Sequence, residues 1–198
     1  MKKTFEKQLA YAIKHHGNQT RKKVGDCRIP YIIHPLDVMR QLQGWGIVDS
    51  KYEQLWTAAL FHDLLEDTDL TLSQLADDWG AKVASIVDEL TFKGDDKNVE
   101  AKAEYVATFV DKSVEALILK IADRLCNTAD SMSLPNGMEK AKAVFEKGTP
   151  LWSAFTKRFA EVREYFGDAA AVEIGKGIAT YSLAFASSPN QASIETSE

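Results

Sequence analysis

The chain has 198 residues, 45% of them hydrophobic and 27% charged, with a formal net charge of −5. That length suits one domain with a real core, no apolar run is long enough to cross a bilayer, and the negative balance argues against a nucleic-acid partner. Two cysteines, Cys27 and Cys126, lie in no ligand spacing, which speaks against a disulfide framework and for a reducing compartment, the cytoplasm.

Apolar positions at helical spacing predict a first helix over 4–16, where Glu6, Lys7 and Gln8 interrupt any signal-peptide core. His15 and His16 at its end read as surface and packing residues, outside any site. After Gly17-Asn18 comes the polar loop with Arg21-Lys22-Lys23, three basic residues that by themselves are ordinary solvated surface. Tyr31-Ile32-Ile33-His34-Pro35 follows. Pro35 suits the first turn of a helix over 35–44, which leaves His34 at or just before the N-cap with its ring free. A histidine so placed more often caps or packs than ligates, and Tyr31 on its own is an anchoring residue.

Asp49 is an expected N-cap before a helix over 53–66, which ends in Phe61-His62-Asp63-Leu64-Leu65-Glu66-Asp67-Thr68. On a continuous helix His62 and Glu66 are four apart, as are Asp63 and Asp67, so one imidazole and three carboxylates share a side. Burying that much negative charge is costly, and a divalent cation neutralises it. Solvated acids at a helix end beside a stray histidine are the plainer alternative.

Helices over 71–77, 80–91 and 99–110 come next, with Thr71 as an N-cap and Gly80 at a break. The helix predicted over 113–130 is strongly apolar, and Lys120, Asp123, Arg124 and Asn127 intrude on it. An acid in such surroundings has a buried partner. A structural contact with Lys120 or Arg124 and a metal role stand about even for Asp123. Helices over 138–147, 150–165 and 168–185 complete the pattern, and no segment shows the alternation of a strand. The expected fold is all-α, a single-domain helical bundle of about eight to ten helices over residues 1–186, with a disordered tail over 187–198.

Taken together, His34, His62, Asp63 and Asp123 supply the mixed nitrogen and oxygen donors of one divalent ion. Mn²⁺ or Fe²⁺ fits that set better than structural Zn²⁺, which favours cysteine.

The order His34, His62-Asp63, Asp123 resembles the HD superfamily of metal-dependent phosphohydrolases. The finer motifs YIIHP (31–35), HDLLEDT (62–68) and KIADRLCN (120–127) resemble the (p)ppGpp hydrolase domain of the RelA/SpoT alarmone enzymes, and the length is similar to the stand-alone small alarmone hydrolases of the metazoan SpoT homologue type. That resemblance extends from about the first helix to Met132. It implies an HD-type helical bundle, Mn²⁺ at His34, His62, Asp63 and Asp123 (Fe²⁺ or Zn²⁺ as alternatives), and Glu66 and Asp67 as the catalytic pair that prepares the attacking water. It also implies nucleotide contacts from Arg21, Lys22, Tyr31 and Asn127. For Asn127 a hydrogen bond to Asp123 is an equal alternative, and Lys120 and Arg124 are further candidates for phosphate contact or ion pairing.

There are departures. Glu104 and Tyr105 stand where alarmone hydrolases often carry basic contacts, with Lys97 and Lys102 nearby as substitutes, and Ala141 to Phe166 matches only loosely. The implied activity is hydrolysis of the 3′-diphosphate of (p)ppGpp to GDP or GTP and pyrophosphate. The alternatives are a related phosphatase acting on NADPH or a nucleoside monophosphate, and a non-catalytic alarmone-binding module. A small nucleotide is the only partner class implied, with neither nucleic acid nor membrane; the sequence carries no signal for oligomeric state.

Overall fold

A computed structural model describes residues 4–21, 28–95 and 97–187. Among these, twelve α-helical segments and two 3-10 turns account for nearly all regular structure, and the only β-type pairing is an isolated bridge between Thr20 and Pro30. No described helix is long and apolar enough to cross a membrane.

The organising element is α8 (Val114–Met132). Ser113 caps its N-terminus by accepting from the Ala116 amide at 3.2 Å. Leu117, Ile118, Ile121, Ala122 and Leu125 are buried along it. It packs against α2 (Ile33–Gly44), α6 (Ala81–Leu90), α9 (Gly137–Glu146) and α10 (Thr149–Lys157). Each neighbour turns an apolar stripe inward, so α8 is apolar on most of its circumference. The polar residues it does carry are therefore forced to find partners.

α1 (Phe5–His16) and α3 (Glu53–Phe61) lie against each other. Phe61 is fully buried, with its ring centroid 5.3 Å from Tyr11 and 4.9 Å from Trp79. The Trp79 ring comes from α5 (Leu72–Trp79), which starts on Thr71 with a capping box to Gln74 and stops at Gly80, whose φ of 93° favours glycine.

The predicted continuous helix over 53–66 is broken. α3 ends at Phe61, and a four-residue α4 (Leu64–Asp67) restarts beyond His62-Asp63. The shared helical face expected for His62, Asp63, Glu66 and Asp67 is replaced by a bend that turns the first two toward α8 and α2. The predicted helix over 150–165 is likewise split, into α10 and α11 (Phe159–Phe166). Arg158 at the junction leaves helical geometry and donates to the carbonyls of Phe109 and Lys112 at 3.3 and 2.6 Å. α7 (Val99–Ala107) gives way to a 3-10 turn over Thr108–Val110, and α12 (Asp168–Ala186) follows Gly167. α2 begins two residues earlier than expected, so His34 sits inside its first turn and not at the cap.

Candidate functional site

Three segments aim four side chains at one point. His34 comes from the first turn of α2, His62 and Asp63 from the break between α3 and α4, and Asp123 from the middle of α8. His34 and His62 are each 2% exposed and Asp123 6%. His34 Nε2 lies 3.1 Å from Asp123 Oδ1 and 3.8 Å from Asp63 Oδ2; His62 Nε2 lies 3.1 Å from Asp63 Oδ2 and 3.8 Å from Asp123 Oδ1. Donor atoms of His34, His62 and Asp123 all fall within 4.8 Å of one another.

The hydrogen-bond logic shows what this cluster wants. The Nδ1 of His62 lies 2.8 Å from the Ala59 carbonyl oxygen. A carbonyl only accepts, so Nδ1 carries a proton and Nε2 is the ring atom turned toward Asp63. That Nε2 is buried with no hydrogen-bond partner. An imidazole nitrogen and a carboxylate oxygen 3.1 Å apart require a positive charge between them, a proton on Nε2 or a metal ion in its place. Ligands about 2.0–2.2 Å from a divalent ion stand about 3.0–3.5 Å apart, which matches the shorter spacings. The residues therefore fit a metal ion. Burial opposes charge on the His62 ring, yet Asp63 and Asp123 raise it to about 9. Against the same burial, His62 pulls Asp63 below the usual carboxylate range, and Lys120 does so for Asp123.

Of the readings left open for Asp123, the contact with Lys120 is present, and the other oxygen faces the histidine cluster. Oδ2 lies 3.2 Å from Lys120 Nζ, while Oδ1 faces the histidines and accepts from Asn127 Nδ2 at 2.5 Å. Asn127 thus makes the hydrogen bond to Asp123, and its Oδ1 in turn accepts from Arg21 at 2.7 Å.

The cluster opens onto a cavity of about 470 Å³. Glu66 and Asp67 line one side, open to solvent yet hemmed by the walls. Partial burial raises both carboxyls above their ordinary range, Glu66 against the amide of Phe92 that donates to it at 3.1 Å, Asp67 with help from Asp63. Five cationic side chains share the lining: Arg21, Lys102, Lys120, Arg124 and Lys147. A second cavity of about 430 Å³ shares Arg21, Tyr31, His34, Arg124 and Asn127 with the first.

Of the expected nucleotide contacts, Arg21, Tyr31 and Asn127 line both cavities, and Lys22 lies outside the described residues. Arg21 is held by Asp130 at 2.5 Å as well as by Asn127. The Tyr31 hydroxyl donates to Asp63 Oδ2 at 2.6 Å, so its first task here is to hold an acid of the cluster. Lys102 lines the cavity; Lys97 and Glu104 do not, and the Tyr105 hydroxyl donates to the carbonyl of Leu90.

Lys147, in the loosely matching segment, was not expected at the site; its neighbours along the chain give no sign of it. Of the surface and packing roles expected for His16, the structure shows packing: the ring is 3% exposed and lies tilted against Tyr31, 4.7 Å between centroids.

Comparison with known proteins gives the same direction. The HD domain family model matches residues 9–160. The guanosine-3′,5′-bis(diphosphate) 3′-pyrophosphohydrolase of Aquifex aeolicus is 36% identical over 126 residues, covering 62% of this chain and 17% of that protein. The mouse guanosine-3′,5′-bis(diphosphate) 3′-pyrophosphohydrolase MESH1 is 39% identical over 124 residues, covering 61% of this chain and 65% of its own length. The matched region thus spans less than two thirds of either relative. The solved structure of a metazoan orthologue of SpoT, described as hydrolysing ppGpp, superposes with a TM-score of 0.71 at 24% identity, covering 90% of this chain and 96% of its own. At that identity it speaks for the fold.

Proposed function

This chain belongs to the HD domain family, and from that premise we propose that it is a divalent-metal phosphohydrolase that cleaves the 3′-diphosphate of (p)ppGpp to GDP or GTP and pyrophosphate. The observation that carries the reading is the convergence of two imidazoles and two aspartates at the floor of a cavity that also holds an acid pair and five cations. His34, His62, Asp63 and Asp123 would hold the ion, with Mn²⁺ the expected one. Such an ion supplies a bound water of lowered pKa and polarises a phosphoryl oxygen.

The chain's own groups supply the rest. Glu66 and Asp67, with carboxyls raised toward the range useful to a general base, orient the attacking water and take its proton. Oxygen from that water bonds to the phosphorus attached to the 3′ oxygen, the ester bond breaks, and the 3′ oxygen leaves with a proton. Lys102, Lys120, Arg124 and Lys147 face the charge of the departing pyrophosphate. Arg21, Tyr31 and Asn127, on the partition between the two cavities, guide the nucleoside portion.

Similarity to two pyrophosphohydrolases of the 3′-diphosphate supports the choice of substrate. The test is a panel of guanosine tetraphosphate, NADPH and nucleoside monophosphates offered to Mn²⁺-loaded protein. Pyrophosphate from the first alone is the expected result, and orthophosphate from the others with none from ppGpp would overturn it.

A further inference from the structure

α4 holds both proposed catalytic acids in a helix of only four residues, too short to be stable by its own hydrogen bonds. Its position must be set from outside. Thr68 ties its start by donating to the Leu64 carbonyl at 2.6 Å, and the Phe92 amide fixes Glu66. Asp67 is fixed by something further away in sequence. Gln19, in the turn after α1, donates its Nε2–H to the Asp67 carbonyl at 2.5 Å, a group that the end of a helix leaves without an internal partner.

That one bond determines the next. Because the carbonyl only accepts, the Gln19 amide must turn its Oε1 the other way, toward His16 Nδ1 at 2.9 Å. Oε1 only accepts as well, so His16 carries a proton on Nδ1. The His16 ring also packs at a tilt on Tyr31, 4.7 Å between centroids, and the Tyr31 hydroxyl donates to Asp63. The histidine therefore bears on the Asp67 backbone through Gln19, and on the cluster acid Asp63 through Tyr31. It lines neither cavity and cannot touch substrate there. Burial holds its pKa below the usual histidine range in spite of Gln19, Asp63 and Asp67, while His62 pushes it lower still.

We infer that His16, with Gln19, is a positioning residue that sets the orientation of Asp67 from behind the cavity wall. This rests on Asp67 serving the proposed hydrolysis, so the test has one arm that needs no turnover. In the ¹⁵N spectrum of the wild-type protein at neutral pH, His16 is expected as the neutral Nδ1–H tautomer; an Nε2–H tautomer would overturn the wiring whatever the protein hydrolyses. In kinetics, His16→Phe and Gln19→Met are each expected to lower kcat about tenfold or more, with KM and bound metal unchanged. His16→Asn, which keeps an N–H donor near the Nδ1 position, is expected to recover part of that loss. In an Asp67→Asn background neither substitution should lower kcat further. Unchanged kcat in both single variants, or losses that simply add to that of Asp67→Asn, would contradict the inference.

Discussion

His62 donates its Nδ1–H to the carbonyl oxygen of Ala59 one helical turn earlier, and this bond leaves Nε2 as the atom that meets Asp63 and Asp123. The bend after Phe61 makes it possible: were α3 to continue, that carbonyl would take a backbone amide and the ring would lose its anchor. The break in the helix is thus what turns a common His-Asp pair into half of the proposed metal site.

His62→Ala or Asp63→Ala is expected to remove bound ion and activity together. Elemental analysis of purified protein alongside the turnover assay checks both. Activity retained by a metal-free variant would remove these residues from the chemistry.

Glu66→Gln and Asp67→Asn behave differently on this account. Neither side chain belongs to the cluster of His34, His62, Asp63 and Asp123, so the ion should stay, while kcat falls by about 10²–10⁴ through loss of proton acceptance. Stoichiometric metal together with low kcat is the signature to look for.

The acid limb of the rate profile follows from the same pair. Both carboxyls are raised by burial, and a base works only when ionised. Activity should therefore fall as pH drops through values above the ordinary carboxylate range, sooner than a solvated acid would dictate. The sign for stability is opposite. A carboxylate whose folded pKa is raised costs stability above its unfolded pKa, and that cost is relieved as pH falls through the raised value. Glu66→Gln should consequently leave the metal-free protein no less stable at neutral pH, which thermal melts can measure.

Asn127 sits between Arg21 and Asp123 and orients the oxygen of the latter that faces the histidines. Asn127→Ala is expected to weaken metal affinity about 10–100-fold, the range typical when such a supporting hydrogen bond is lost. A competitive chelator titration reads this directly, and an effect confined to KM would assign Asn127 to the nucleotide alone.

Much of this arrangement was readable in the sequence because it is local. HDLLEDT and the apolar helix interrupted by Lys120, Asp123 and Asn127 each announce themselves within about eight residues, and the helix ends at Gly17, Thr71 and Gly80 fall where expected. The bend at His62-Asp63 was not readable, since no glycine or proline marks it and the apolar spacing runs straight through; packing of α3 and α4 on different neighbours decides it. Nor were the long-range contacts. Gln19 meets Asp67 from 48 positions away and Arg21 meets Asn127 from 106, distances over which sequence spacing carries no geometric information.

Fold stability has its own marker in Phe61, the last residue before the bend. It fills the space between Tyr11 and Trp79 with no exposure, so Phe61→Ala should cost about 3–5 kcal/mol in denaturant unfolding and loosen the bend as well.

Hydrolysis of ppGpp in ¹⁸O-labelled water by the manganese-loaded protein tests the account most directly. If the clustered histidines and aspartates hold an ion whose water attacks phosphorus, the label enters pyrophosphate, the guanosine 3′ oxygen stays unlabelled, and chelation stops the reaction. Label on the nucleoside, or the same turnover after the metal is stripped, would contradict it.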